Sequence, residues 1–353
     1  MIRTRSVRNA LRSRGIDGML VTALSNVRYL SSFSGSSGCL IISRKERIFF
    51  TDGRYEEQAK KEIEGFDIII DEKDILCAAI EKVRSLGIKT LGFESSLPYA
   101  SYRRLLRKGF RIKAILHLVE DIRKIKDLHE LRLTNTAVKR AEMAFRKVKP
   151  YIKKGISEKQ IARMLEDKLR DKGCSSLPFD VIVASGSNSA LPHAKPSHRK
   201  IRGGDFILID WGGEAGGYFS DMSRTFLVQG KDMLRKKEIY ETVLKAHAAA
   251  IHVVLEGKHT RLVDKAARDV IKKSGYGDCF GHGTGHGVGL DVHELPRVSR
   301  FGGETVKKNM IFTIEPGVYL PGLGGVRIED MVLAKKNGCT VMTGLPRKLE
   351  IIV

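Results

Sequence analysis

The sequence predicts a small α/β domain followed by a larger α+β domain. Three observations lead there. About 120 of the 353 residues at the N-terminal end alternate short β-type runs with helical patterns. A long helical pattern then opens the remainder, and the strand runs after it repeatedly carry an aspartate or glutamate within or at the edge of apolar sequence.

In the first part, MLVTAL (19–24), GCLIIS (38–43), RIFFTD (47–52), FDIIID (66–71), TLGFES (90–95) and RIKAIL (111–116) read as strands. Helical patterns lie between them at 3–13, 54–64, 74–86 and 98–108, several closing on glycine (Gly15, Gly65, Gly87, Gly109). The domain is assigned to residues 1–120. LVEDIRKIK (118–126) is charged and reads as a connection, with 121–126 as the linker proper. The second domain, 127–353, begins with a helix from Asp127 to about Lys149 and a second that Ser157 caps and Gly173 stops. Strand runs DVIVASG, DFILIDWGG and YFSDMSRTFLV follow, then helices near 232–256 and 260–273, then GHGTGHGVGL, MIFTIEPGVYL, VRIEDMVLA and CTVMT. That order suggests a sheet built from both halves of the domain.

With 42% hydrophobic residues the chain can build two cored domains. Five scattered cysteines (Cys39, Cys77, Cys174, Cys279, Cys339), odd in number and without a CxxC pair, argue against a disulfide framework or zinc knuckle and fit a cytoplasmic protein. The basic N-terminus is followed by no long apolar run, so neither export nor a membrane span is expected. The net charge of +22 divides as +8 over residues 1–123 and +14 over the rest. So even a spread reads as a lysine-rich solvated surface, which disfavours a nucleic-acid module and would aid attraction of anionic substrates. No dinucleotide or P-loop glycine motif and no GxSxG elbow is present, and Cys279 reads as a packing residue, not a nucleophile.

The chemistry concentrates in Asp210, Asp221, His286, Glu315 and Glu329. Four converging carboxylates would repel one another and take up protons, whereas two divalent cations would neutralise them. The set therefore suggests a dinuclear, oxygen-rich site for metal-assisted hydrolysis. Strand phase supports convergence. In FILID, Asp210 shares a face with Phe206 and Leu208; in VRIED, Arg327 and Glu329 share one; in FTIEPG, Glu315 follows Thr313. Acids at such positions need a partner. GHGTGHGVG has glycine at alternate positions, which disfavours a helical HxxxH pair. In an extended segment His282 and His286 would stand roughly 13 Å apart, so one is a ligand and the other an outer or substrate-side group. Mixed carboxylate and imidazole ligands favour Mn(II) or Co(II), with Zn(II) as the alternative.

These segments, across residues 127–353, resemble the pita-bread metallopeptidases, which include methionine aminopeptidase, aminopeptidase P, prolidase and the metal-free creatinase. The resemblance implies that Asp210 chelates one metal, that Asp221 and Glu329 bridge both, and that His286 and Glu315 hold the other. NVRYLSSFSGSSGCLII and FFTDGRYEEQAKKE resemble the creatinase-like N-terminal domain of Xaa-Pro peptidases, a domain methionine aminopeptidases usually lack. His193 in NSALPHAKPS and His293 in LDVHELP match substrate-contacting positions of proline-specific members. Trp211 stands where many relatives carry a smaller aromatic, and is expected to alter pocket shape.

The implied activity is hydrolysis of an N-terminal Xaa-Pro bond in short peptides by a cytoplasmic homodimer, with aminopeptidase P-like cleavage placed just ahead of prolidase activity. Glu315 would act as general base, His193 or His293 would stabilise the oxyanion, and His282 and Arg327 would be supporting groups. The alternatives are a non-catalytic peptide- or nucleic-acid-binding protein on the same fold and methionine aminopeptidase-like activity.

Overall fold

The computed structural model describes residues 2–106 and 109–353. The chain forms two compact units, 1–123 and 124–353.

In the first unit the elements run α1 (Ile2–Ser13), β1 (Gly18–Val21), α2 (Leu24–Ser31), β2 (Cys39–Ser43), β3 (Arg47–Thr51), α3 (Glu56–Glu62), β4 (Asp67–Ile70), α4 (Ile75–Ser85), β5 (Thr90–Glu94), α5 (Tyr99–Leu106), β6 (Arg111–Ile115) and α6 (Leu118–Arg123). They build one six-stranded mixed sheet in the order β4-β3-β2-β1-β5-β6. Its apolar face, including Leu20, Ile41, Phe50 and Leu91, packs against Ile80 and Val83 of α4. Asp74 caps α4 by accepting from the Leu76 and Cys77 amides. The helical pattern over 98–108 is realised as α5, and residues 107 and 108 lie outside the described residues. Two details differ from expectation. The helix α2 begins at Leu24, inside the MLVTAL run expected to be extended, and the charged connection is helical as α6. Beyond it, Lys126 is 1% exposed because its ammonium pairs with Glu294 at 2.6 Å, which a solvated linker residue would not do.

The second unit runs α7 (Leu128–Val148), α8 (Glu158–Asp171), β7 (Ile182–Ser185), β8 (Phe206–Trp211), β9 (Glu214–Ala215), β10 (Tyr218–Phe219), β11 (Met222–Val228), α9 (Met233–Val253), α10 (Thr260–Lys273), β12 (Gly285–Gly287), β13 (Glu294–Val298), β14 (Ile311–Ile314), β15 (Gly317–Leu320), β16 (Gly324–Arg327), β17 (Asp330–Ala334), β18 (Cys339–Val341) and β19 (Ile351–Ile352). Reciprocal capping boxes start α7 (Asp127 with Glu130) and α8 (Ser157 with Gln160). After α8, Gly173 adopts φ 88°, a conformation that favours glycine.

The expected single sheet is in fact split. One sheet has the order β19-β11-β8-β7, a second β13-β12-β14-β17-β18, and β15-β16 is a separate hairpin. Thr225 Oγ1 donates to the Arg327 carbonyl and accepts from its amide, and the Glu329 amide donates to the Ser223 carbonyl, joining β11 to the segment from β16 onward without a ladder. Alternation along β8 serves two cores. Ile207, Ile209 and Trp211 pack against Ala141 and Phe145 of α7 and Ile161 and Leu165 of α8. Phe206 joins Val243 and Ala246 of α9, Val263 and Ala267 of α10, and Phe312 and Ile314 of β14. Helices α7 and α8 pack on one core and α9 and α10 on the other, and the acids sit at or next to strand ends.

Candidate metal centre

Asp210 lies near the end of β8 and registers opposite Ser223 of β11, while Asp221 immediately precedes β11. Glu315 follows β14, and Glu329 occupies the step between β16 and β17. His286 sits in β12, only three residues long and bulged between His286 and Gly287, so most of GHGTGHGVGL is irregular and not strand. The alternating glycines have a steric basis: a Cβ on Gly285 would lie 1.9 Å from the Thr313 carbonyl oxygen, and one on Gly287 2.1 Å from that of Leu295.

These elements bring the acids and the imidazole together. Asp221, His286 and Glu329 each present a ligand atom within 4.8 Å of the other two. The His286 Nε2 also stands 3.5 Å from Glu315 Oε1 and 3.6 Å from Asp221 Oδ2. Asp210 is drawn to Arg327, whose Nη2 donates to Oδ2 at 2.7 Å. His282 and His286 flank one carboxylate, His282 Nδ1 lying 4.0 Å from Glu315 Oε2. The bend in the glycine segment thus removes the separation that a fully extended chain would impose.

The electrostatics call for cations. Asp221 and Glu329 are 4% and 2% exposed. Burial first, and the neighbouring carboxylates second, hold both acids well above the ordinary carboxylate range. Burial also raises Glu315. One oxygen of Asp210 and one of Asp221 are buried without a hydrogen-bond partner among the described residues. His286 Nδ1 lies 3.1 Å from the Gly287 carbonyl, where only a protonated nitrogen is favourable. That leaves the Nε2 lone pair facing two carboxylates, and burial lowers the pKa of the ring. A lone pair and orphaned carboxylate oxygens turned on one another fit bound divalent cations and little else.

Around them runs a network that sequence reading only partly anticipated. Arg327, 3% exposed, donates to Asp210, to Ser223 Oγ (2.9 Å), to Tyr319 Oη (2.9 Å) and to the Pro192 carbonyl (3.2 Å). Ser223 Oγ passes a hydrogen bond to Glu329 Oε2 at 2.7 Å. Tyr319 Oη lies 2.9 Å from His282 Nε2, whose other nitrogen meets the Gly283 carbonyl at 2.7 Å. Nothing in the sequence marks Ser223 and Tyr319, because hydroxyl residues in strands carry no distinctive pattern.

All five residues, with His193, His282, His293 and Arg327, line one cavity of about 750 Å³. His193 and His293 are exposed to it, and the His293 ring tilts against that of His286 with centroids 4.2 Å apart. Trp211 does not line it; it is buried on the opposite face of β8, stacked on Phe145 at 4.4 Å with its Nε1 donating to the Ala141 carbonyl. Successive strand residues point to opposite sides, so Trp211 cannot reshape the pocket that Asp210 enters.

Residues 132–336 match metallopeptidase family M24, and residues 3–125 the creatinase/prolidase N-terminal domain. An Xaa-Pro dipeptidase of Pyrococcus horikoshii is 37% identical over 95% of this chain and 94% of its own length. The structure of an Xaa-Pro dipeptidase from Bacillus anthracis superposes with a TM-score of 0.95 at 38% identity, covering 100% of this chain and 99% of that one. An X-Pro aminopeptidase from Thermotoga maritima does so with a TM-score of 0.90 at 35% identity, covering 99% of each chain.

Proposed function

Because the chain belongs to metallopeptidase family M24 and carries the creatinase/prolidase N-terminal domain in front of a pita-bread catalytic domain, we propose that it hydrolyses the Xaa-Pro bond at the N-terminus of short peptides. The observation that carries this reading is the His286 Nε2 lone pair facing Asp221 and Glu315 beside two orphaned carboxylate oxygens. Asp210 would hold one divalent cation, His286 and Glu315 the other, and Asp221 and Glu329 both; Mn(II) or Co(II) suit the set best, with Zn(II) the alternative. Such cations supply Lewis acidity that acidifies a water and polarises the scissile carbonyl.

The chain's own residues do the rest. Glu315, lining the cavity beside His286, would accept a proton from the water and return it to the departing proline nitrogen. That nitrogen carries no hydrogen in the substrate, so recognition has to come from the ring and the free N-terminus. His193 and His293, which line the cavity, would donate to a developing oxyanion. Arg327 keeps Asp210 and, through Ser223, Glu329 in orientation, and Tyr319 extends the same network to His282.

A non-catalytic binding module would have no use for this ligand set. The test is a metal-reconstitution series assayed on Gly-Pro and Gly-Pro-Pro. Activity should vanish on chelation and return with Mn(II) or Co(II); full Xaa-Pro hydrolysis by metal-free protein would overturn the reading. Cleavage of the tripeptide assigns aminopeptidase activity, which we place slightly ahead, and cleavage of the dipeptide alone assigns dipeptidase activity. Sedimentation would test association as a homodimer.

A further inference from the structure

We propose that Glu158 is a positioning residue that fixes the loop bearing His193 as one wall of the substrate cavity, an inference that rests on the peptidase reading above. Glu158 is the first residue of α8, a place where an acid ordinarily faces solvent near the helix N-terminus. Here it is 0% exposed. Its Oε1 accepts from the Ser185 amide (2.7 Å), Ser185 Oγ (2.8 Å) and Asn188 Nδ2 (3.1 Å). Its Oε2 accepts from the Ser197 amide (3.0 Å), Ser197 Oγ (2.6 Å) and the same Asn188 nitrogen (3.1 Å).

One carboxylate therefore clamps the last residue of β7 to Ser197 and closes the intervening segment, 186–196, into a loop. The α8 backbone reinforces the closure: the Glu158 amide donates to the Arg199 carbonyl and the Lys159 amide to that of Ser197. Arg199 in turn reaches back to Ser185 Oγ at 2.7 Å and pairs with Asp205. On the cavity side, Arg327 holds the loop by the Pro192 carbonyl, one residue before His193. Residues 192–196 all line the cavity. Among the described residues no hydrogen bond holds the His193 ring itself, so its placement depends on the loop backbone, which Glu158 pins on one side and, on the other, Arg327 and the Gly325 amide donating to Ser189 Oγ. Loosening the Glu158 pin would cost orientation at His193 without touching the acids that hold metal.

Glu158→Gln tests this, since the amide turns a donor toward donors that a carboxylate oxygen now satisfies. In metal-loaded enzyme the variant should keep the wild-type metal content yet lose about tenfold or more in kcat/KM on whichever of Gly-Pro and Gly-Pro-Pro the wild type cleaves, chiefly in kcat. Added to His193→Ala, the same change should cost less than about threefold, because the residue it positions is already gone. Equal losses in both backgrounds would make Glu158 merely structural and overturn the proposal. Ser197→Ala, which removes one donor, gives the same double-mutant test if Glu158→Gln does not fold. Hydrogen exchange needs no activity: Glu158→Gln, or Ser197→Ala in its place, should accelerate exchange in 186–196 and leave β8 unchanged, and an unchanged loop also overturns the proposal. Wild-type enzyme that fails on Gly-Pro and Gly-Pro-Pro with metal bound would instead sink the peptidase reading.

Discussion

Arg327 and Asp210 form a buried ion pair, Nη2 to Oδ2 at 2.7 Å, between the strand pair β8–β11 and the hairpin β15–β16. The guanidinium is aimed directly at Asp210, and its positive charge opposes the upward shifts of Asp221, Glu315 and Glu329. Breaking such a pair leaves a buried charge uncompensated. Arg327→Ala should therefore cost the metal-free protein about 3–5 kcal/mol in urea unfolding. A loss below about 1 kcal/mol, the level of an exposed pair, would show that water already solvates Asp210.

The same burial sets a pH dependence. Asp221, Glu315 and Glu329 have folded-state pKa values raised above those of the unfolded chain. Their contribution to stability is present below the ordinary carboxylate range, about 4, and is lost as pH rises through the raised values. His282 and His286 are lowered, so they act in the opposite sense as pH falls below about 6.5. Above that pH these rings are neutral in both states and no longer oppose the carboxylates, while the thiols of Cys39, Cys174 and Cys339, also raised by burial, add to the same trend. Metal-free protein should melt at a lower temperature at pH 8.5 than at 6.5, by scanning calorimetry. With Mn(II) in excess the trend should flatten or reverse, because the cation replaces the protons. Identical melting at the two pH values without metal would contradict the inferred repulsion.

Metal counts distinguish the roles within the set. Asp210→Asn should leave about one cation per chain where the wild type binds about two, while Glu329→Gln should bind neither well and fall about a thousandfold or more in kcat/KM. Inductively coupled plasma analysis after gel filtration reads the first outcome directly. Two tightly held ions in Asp210→Asn would remove Asp210 from the ligand set.

How much of this was legible beforehand depends on the kind of signal each residue leaves. Asp210, Asp221, Glu315 and Glu329 could be picked out because an acid within or beside an apolar strand run is costly without a partner. The alternating glycines of 281–289 announced close backbone approach, and Gly285 and Gly287 do abut neighbouring carbonyls. Ser223 and Tyr319 left no such mark, since their importance arises from register: Ser223 falls opposite Asp210, and the β15–β16 turn carries Tyr319 back beside Arg327. Glu158 was hidden for another reason. An acid just after a serine cap looks like a routine helix start, and only the return of Ser185 and Ser197 in space reveals it as a hub. The short helices α2 and α6 escaped notice because eight and six residues supply too little periodicity.

Trp211 provides the last test, because its sequence neighbour Asp210 suggests one role and its side chain takes another. The indole is fully buried, stacked on Phe145, which also stacks on Phe226 at 5.9 Å, and its Nε1 donates to the Ala141 carbonyl at 3.1 Å. It joins β8 to α7 and contributes to the core, not to the cavity. Trp211→Ala should cost about 3–5 kcal/mol by urea unfolding, the range for deleting a large buried aromatic. Trp211→Phe should cost less, since stacking survives and chiefly the Ala141 hydrogen bond is lost. In both variants the surviving folded enzyme should keep its metal content and its KM for Gly-Pro. A change in KM with unaltered stability would place the indole in the pocket after all, against the alternation of β8.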